Sequence, residues 1–117
     1  MKNVFEGLGH LHKHNLAHRD LKPSNIVIDD PNDSSTVRIV DFGLAVECTD
    51  KNGGGLQDFC GTLVYQSPEQ LKANQYGKPA DIWACGFIMY ELMSGAHPLY
   101  KKGEDKNSYK EKLLNLD

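Results

Sequence analysis

The pattern of apolar and polar residues along the chain predicts three helices. Apolar residues recur at helical spacing in residues 1–14, where they indicate one buried face. That face comprises Val4, Phe5, Leu8 and Leu11. Residues 79–94 begin with Pro79, end before Gly95 and are apolar nearly all round, so burial on most faces is expected for this helix. Residues 101–117 are mostly charged and predict a loop followed by a short amphipathic helix.

Two short β-branched segments between the first two helices predict a β-hairpin. Residues 26–28 and 37–40 are typical of strands, and the loop 29–36 between them is rich in Asp, Asn, Pro and Ser. Asn25 comes directly before the first strand, and Asp41 comes directly after the second. Because the hairpin folds its ends together, we expect these two side chains to approach each other.

Length and composition indicate an ordinary globular chain that forms one domain or part of one. The sequence has 117 residues, 39% of them apolar, and a net charge of −3. This charge provides no basic surface for nucleic acid, and no apolar segment approaches the ~18 residues of a membrane span. Three cysteines without C-x-x-C spacing predict reduced thiols in the cytoplasm or the nucleus. Nothing in the sequence indicates an oligomeric state.

Residues 18–25 combine groups that suit phosphoryl transfer. This segment contains a carboxylate at Asp20, an ammonium at Lys22 and an amide at Asn25, and the hairpin adds the carboxylate of Asp41. Transfer of a phosphoryl group from a magnesium nucleotide needs a carboxylate that orients and deprotonates the acceptor hydroxyl. It also needs a cation on the migrating phosphate and hard oxygen ligands for magnesium. These four residues supply that set.

The same segments carry the motifs of a known family. Residues 18–25, H-R-D-L-K-P-S-N, resemble the protein-kinase catalytic loop, and residues 41–43 match the kinase D-F-G. Residues 61–69, G-T-L-V-Y-Q-S-P-E, resemble the kinase G-T-x-x-Y-x-A-P-E with Ser67 in place of alanine. Residues 81–86 resemble D-x-W-x-x-G of the central helix of the kinase C-lobe. The resemblance implies an α+β fold, a mainly helical C-lobe fragment with a small β-hairpin.

The resemblance also implies roles for these four residues, with ATP and Mg²⁺ as cofactors. Asp20 would be the catalytic base, and Lys22 would neutralise the migrating phosphate and contact ATP. Asn25 and Asp41 would bind magnesium and through it the nucleotide. The Lys-Pro-Ser-Asn form of the loop, together with Thr62, is similar to serine/threonine kinases. Protein substrates with Ser or Thr acceptor hydroxyls are therefore the partners expected.

Five further positions resemble regulatory or substrate-positioning residues of kinases. Arg19 precedes the catalytic Asp, a feature of kinases controlled by phosphorylation of the activation loop. Asp58 occupies the usual phosphorylation position, so we predict that it pairs with Arg19 as a built-in acidic substitute. Thr62 is expected to contact the catalytic Asp and Lys, and Glu69 to pair with an arginine far downstream. Asp81 is expected to accept hydrogen bonds from the backbone of the catalytic loop.

The motifs that are missing leave two functions open. The sequence contains no G-x-G-x-x-G loop, no V-A-I-K lysine and no helix-C glutamate, so residues 1–117 are interpreted as a partial kinase domain. The N-lobe and the C-terminal helices are expected to be absent, and the surface that faces the missing lobe to expose apolar side chains. The chain is then either a fragment of an active serine/threonine kinase or a non-catalytic product that binds kinase substrates or partners. The run Cys60-Gly61-Thr62 and the stretch 84–98 resemble calcium/calmodulin-dependent kinases.

Overall fold

The computed structural model of the protein describes residues 2–48, 56, 60–72 and 76–115. The helices in these residues are α1 (Lys2–Lys13), α2 (Pro68–Leu71), α3 (Pro79–Ser94) and α4 (Lys106–Leu114). The strands are β1 (Leu16–Ala17), β2 (Ile26–Ile28), β3 (Val37–Ile39) and β4 (Val46–Glu47). Single 3-10 turns occupy Pro23–Asn25, Ser34–Thr36 and Leu63–Tyr65. The fold is mixed α+β, as predicted.

Helix α1 buries one face, although that face is narrower than the sequence indicates. Val4 and Leu8 are buried, whereas Phe5 remains 37% exposed. Phe5 follows Val4 by one residue and therefore points about 100° away from it around the helix. The chain leaves the helix through Asn15, whose φ of 61° is the left-handed conformation that commonly ends a helix.

Two small antiparallel sheets flank the loop that follows α1. Strands β2 and β3 form the predicted hairpin, in which Ile26 pairs with Ile39 and Ile28 with Val37. Strands β1 and β4 form a second pair that the sequence did not predict. Each of these two strands has only two residues, which is too short for an alternating pattern to be recognised.

Helix α3 lies at the centre of the structure and has the predicted boundaries. Pro79 opens it, and Gly95 closes it in the left-handed conformation with φ of 86°. Its inner side contributes to two apolar clusters. One contains Val4, Leu8, Leu21, Ala84, Cys85 and Ile88, and the other contains Leu71, Phe87, Tyr109 and Leu113. The helix thus joins α1 and the catalytic loop to α4.

The prediction that α3 is buried on most faces is wrong, because the opposite side of this helix is exposed. Ile82, Tyr90, Leu92 and Met93 are 48%, 53%, 65% and 83% exposed. These side chains leave that side of α3 largely open to solvent, although Leu92 still lines a cavity together with Val4 and Ile28. The sequence pattern, which is apolar nearly all round the helix, does not distinguish this side of α3 from the buried side.

The C-terminal segment has the predicted loop and short helix. Asp105 caps α4 by accepting a hydrogen bond from the backbone of Ser108 at 3.1 Å. Tyr109 and Leu113 bury the helix against the second cluster, while Leu116 lies outside the described residues. All three cysteines carry free thiols. Within the described residues, no helix has the length and apolar character that crossing a membrane requires.

Candidate active site

The loop between β1 and β2 is held against the residues that follow β3 by a buried histidine. The backbone N–H of Asp20 donates to Nδ1 of His18 at 3.2 Å, so Nε2 carries the ring proton and donates to the Val40 carbonyl at 3.0 Å. The His18 ring also meets the Phe42 ring edge-on, with centroids 5.4 Å apart. These contacts join residues 18–25 to residues 41–43, which the sequence analysis identified as two motifs of one site.

Thr62 links the predicted catalytic base to the predicted phosphate-binding lysine. Its Oγ1 donates to Oδ1 of Asp20 at 2.9 Å and accepts a hydrogen bond from Nζ of Lys22 at 2.9 Å. Nζ of Lys22 lies 3.8 Å from Oδ2 of Asp20. The predicted contacts of Thr62 with both residues are therefore present. One hydroxyl thus bonds a carboxylate and an ammonium that lie 42 and 40 residues before it in the sequence and fixes their relative positions.

The structure brings Asn25 next to the end of β3. Asn25 is buried, its Nδ2 donates to the carbonyl of Asp20 at 2.7 Å, and its own carbonyl accepts from the N–H of Val40 at 2.8 Å. Because the amide nitrogen makes this bond, the amide oxygen is the atom that can bind a cation. The next residue, Asp41, is exposed, adopts φ of 62° and accepts a hydrogen bond from Gly43 at 3.2 Å.

Asn25 and Asp41 fit a magnesium ion that is shared with a nucleotide. They offer one amide oxygen and one carboxylate, and Mg²⁺ is usually bound by one or two carboxylates together with substrate phosphates and water. Within residues 2–48, 56, 60–72 and 76–115, no group of three or more His, Cys, Asp or Glu side chains could hold a metal ion. This donor set therefore favours a nucleotide-bound ion over a metal held by protein ligands alone.

Asp81 at the start of α3 fixes the backbone of the catalytic loop. Its carboxylate is buried and accepts hydrogen bonds from the N–H of His18 at 2.8 Å and of Arg19 at 3.0 Å, as the sequence predicts. A third bond comes from Nε2 of His12 at 2.9 Å. Arg19 has a φ of 71°, so these bonds stabilise a left-handed backbone at a non-glycine residue. The sequence analysis missed His12, because a single histidine near a helix end carries no recognisable pattern.

The Arg19 side chain is bound on the side away from Asp81. Its Nε donates to the Leu44 carbonyl at 2.8 Å, and its guanidinium donates to the hydroxyl of Tyr76 at 3.2 Å. Burial is the main cause that raises the pKa of Tyr76. Gly61 packs against the same loop with φ of 89°, and a Cβ there would lie 2.4 Å from the Arg19 carbonyl, so only glycine fits. Asp58 lies outside the described residues, and its pairing with Arg19 stays a prediction.

Residues 61–69 are held to α3 and α2. The hydroxyl of Tyr65 donates to Oε1 of Glu91 at 2.7 Å, and burial together with this carboxylate raises the pKa of Tyr65 well above its usual value. Ser67, which replaces the alanine of the motif, is fully buried as the N-cap of α2, and Gln70 completes its capping box. Glu69 forms no ion pair within the described residues, so its arginine partner remains a prediction.

Comparison with known proteins identifies the family. A family model of the protein kinase domain matches residues 1–116. The chain belongs to the protein kinase family. It is 38% identical over 106 residues to calcium/calmodulin-dependent protein kinase type II of Caenorhabditis elegans, a match that covers 91% of this chain and 14% of that kinase. It is 43% identical over 105 residues to calcium-dependent protein kinase 5 of Plasmodium berghei, which covers 90% of this chain and 18% of that kinase.

A third relative is likewise a protein kinase that is much longer than this chain. The chain is 39% identical over 108 residues to the phosphorylase b kinase gamma catalytic chain, liver/testis isoform, of Bos taurus, and the match covers 87% of this chain and 25% of that kinase. The chain therefore spans between 14% and 25% of the length of these relatives. Calcium/calmodulin-dependent kinases, which the sequence analysis singled out, are among the proteins matched. Protein kinases in general use ATP and Mg²⁺.

Proposed function

We propose that residues 1–117 form the core of the C-lobe of a serine/threonine protein kinase domain. Completed by the parts of the domain that cover the nucleotide, it transfers the γ-phosphate of ATP to Ser and Thr hydroxyls of proteins. The observation that carries this proposal is the bridge from Asp20 through the Thr62 hydroxyl to Lys22. A module that only binds partners has no need of a carboxylate and an ammonium held at one hydroxyl, so this bridge favours the catalytic function.

In the proposed mechanism, Asp20 orients the acceptor hydroxyl and takes its proton. The bond from Thr62 engages Oδ1 of Asp20 and leaves Oδ2 as the oxygen that faces the substrate. Lys22 lies 3.8 Å from that oxygen and would neutralise charge on the migrating phosphoryl group. Positioning and electrostatic stabilisation account for most of the rate of phosphoryl transfer, because its transition state demands little covalent chemistry from the protein.

The Mg²⁺ ion is assigned to the amide oxygen of Asn25 and the carboxylate of Asp41. When bound, the ion would neutralise negative charge on the phosphates of ATP. Asn25 contributes a fixed position, since its amide nitrogen and its carbonyl are both hydrogen-bonded. Asp41 contributes the negative charge, and its bond to Gly43 orients the carboxylate. ATP and Mg²⁺ are therefore the cofactors that we propose for the complete domain.

The partners proposed are proteins with Ser or Thr acceptors, and not nucleic acid or membranes. The net charge of −3 gives no attraction to phosphate backbones or anionic lipids. Three free thiols suit the reducing environment of the cytoplasm, with the nucleus as a second location. The five regulatory or positioning assignments made from the sequence, including the pairing of Asp58 with Arg19, belong to this proposal.

The proposal is tested by phosphoryl transfer in a hybrid kinase. The 106-residue segment of this chain that matches the C. elegans relative replaces its counterpart in that kinase. Transfer of labelled γ-phosphate from Mg-ATP to a Ser/Thr peptide is then measured. Asp20→Asn should lower kcat about 10²–10⁴-fold, the usual contribution of a general base. The exposed Glu111→Gln serves as the matched carboxylate control and should leave kcat unchanged. Equal rates for Asp20→Asn and the parent hybrid would refute the assignment of the base.

A second pair of variants tests the bridge itself. Thr62→Ser keeps the hydroxyl that joins Asp20 and Lys22, whereas Thr62→Val keeps the shape and removes the hydroxyl. Transfer should persist in the serine variant and fall at least tenfold in the valine variant. Parallel loss in both variants would mean that the methyl packing of Thr62, rather than its hydrogen bonds, supports the site.

A further inference from the structure

His97, in the loop between α3 and α4, is held by hydrogen bonds on both of its ring nitrogens. Nδ1 accepts from the backbone N–H groups of Leu99 at 3.1 Å and Tyr100 at 2.9 Å. Nε2 lies 2.7 Å from the carbonyl of Val64. A nitrogen that accepts two N–H bonds carries no proton, so Nε2 carries it and donates to Val64. Only the neutral ring with this tautomer satisfies all three bonds.

The carbonyl that His97 reaches belongs to the segment 61–69. Val64 is the middle residue of the turn Leu63–Tyr65, two residues after Thr62. The same carbonyl accepts a second hydrogen bond from the hydroxyl of Tyr109 in α4, at 3.1 Å. A loop and a helix from the C-terminal part of the chain thus converge on one peptide group of this segment.

Aromatic rings surround His97 and keep its imidazole in place. The centroid distances are 4.6 Å to Phe87, 5.3 Å to Tyr65, 5.8 Å to Tyr109 and 6.3 Å to Tyr100. The charged groups that face the ring are Glu91 from α3 and Lys112 from α4. Burial lowers the pKa of His97 and outweighs the bond to Val64 and the charge of Glu91, which act in the opposite direction. Neutral imidazole is therefore the form that the surroundings favour.

We propose that His97 is a positioning residue for segment 61–69, which contains the substrate-positioning candidates Thr62 and Glu69, and that protonation of His97 releases this segment. On protonation, Nδ1 takes a proton from solvent and becomes a donor that faces two backbone donors. The bonds from Leu99 and Tyr100 must then break, and the ring loses the position from which it reaches Val64. That the segment binds protein substrates rests on the proposed function, whereas the coupling of the imidazole to the segment does not.

The coupling is tested in the full 117-residue chain by NMR. The ¹⁵N shifts of the imidazole nitrogens give the tautomer and the titration. The amide signals of Tyr65, Leu99 and Tyr100 report the linked bonds, because the Tyr65 nitrogen shares a peptide group with the Val64 carbonyl. We expect the tautomer with the proton on Nε2 at pH 8 and, in acid, shifts of the three amides with the same midpoint as the ring. The variant His14→Gln, which removes an exposed histidine just after α1, should leave this midpoint unchanged. Ring titration without any change in these amides would overturn the proposal.

Two variants separate the two ends of the imidazole. His97→Asn retains an acceptor for the backbone N–H groups two and three residues ahead but is too short to reach Val64. His97→Gln retains a donor that can reach Val64 but lacks the acceptor at the position of Nδ1. Neither side chain titrates, so both variants should abolish the acid-dependent shift of the Tyr65 amide. Persistence of that shift in either variant would contradict the assignment to His97, whatever the folded stability of the variants.

The peptide-transfer assay then distinguishes this inference from the proposed function. In the hybrid kinase, His97→Asn should raise the KM for peptide about fivefold, equivalent to the ~1 kcal/mol of one neutral hydrogen bond, with the KM for ATP unchanged. Tyr109→Phe should also raise the KM for peptide. In this variant the KM should still increase as the pH is lowered, because His97 can still be protonated. NMR coupling without any peptide transfer would refute the proposed function alone. Transfer without NMR coupling would refute the role of His97 alone.

Discussion

Replacing Asp81 by asparagine should destabilise the chain by about 2.5–6 kcal/mol. The carboxylate accepts three hydrogen bonds, from the backbone of His18 and Arg19 and from the His12 ring. Asparagine keeps one acceptor oxygen, so its NH₂ group must face at least one of these donors. A lost bond to a charged group contributes about 1.5–3 kcal/mol, and the buried donors left without a partner contribute about 1–3 kcal/mol more.

The loss is measured by urea denaturation, followed through the fluorescence of Trp83, the single tryptophan of the chain, two residues from the substitution. Glu111→Gln makes the same chemical change on an exposed part of α4 and should alter the unfolding free energy by less than about 0.5 kcal/mol. Amide hydrogen exchange at His18 and Arg19 should accelerate in Asp81→Asn. A loss below 1 kcal/mol with unchanged exchange at both amides would refute the view that Asp81 fixes the catalytic loop.

Three further predictions concern the two clusters and the loops. Gly61→Ala should lower the unfolding free energy in urea titrations more than Gly103→Ala does. Both glycines have φ near 90°, but only a Cβ at Gly61 would meet the Arg19 carbonyl. Equal losses of unfolding free energy would contradict this clash. Leu113→Ala should lower the unfolding free energy by about 2–5 kcal/mol in the same assay, since the side chain is fully buried. Because the pKa of His97 is lowered on folding, the unfolded chain binds more protons below about pH 6.5. The stability of the folded chain should therefore fall by up to ~1.4 kcal/mol per pH unit as the pH drops from 6.5 towards the pKa of His97 in the folded state. His97→Asn should remove this dependence.

Local signals in the sequence were sufficient for the elements with clear ends. Pro79 and Gly95 mark the first and last turns of α3, and the β-branched segments mark the hairpin that places Asn25 beside the residue before Asp41. The contacts of Thr62 and Asp81 followed from the motifs, because spacing along the chain implies a known arrangement of those side chains. Their geometry agrees with that arrangement, while their roles in catalysis remain to be measured.

Other features depend on contacts that no local pattern encodes. The bond from His12 to Asp81 joins residues 69 positions apart, and the bond from His97 to Val64 joins residues 33 positions apart. A single histidine looks alike whether it is exposed or bonded, so neither partner was predicted. The exposed side of α3 escaped prediction for a related reason, since an apolar residue shows its preference for burial but not which element covers it.

Among the residues that the structure describes, three non-glycine residues have a left-handed backbone: Asn15, Arg19 and Asp41. Their conformation has a consequence for how the protein tolerates change. All three lie in or next to the two motif segments of the proposed site, and each such conformation is unfavourable by about 1–3 kcal/mol. Glycine at Arg19 or Asp41 would relieve strain while removing a side chain that the proposed chemistry needs. Laboratory evolution under selection for heat resistance alone would therefore favour glycine at these positions and lower the catalytic activity. Selection for both traits would have to find its stabilising substitutions elsewhere in the chain.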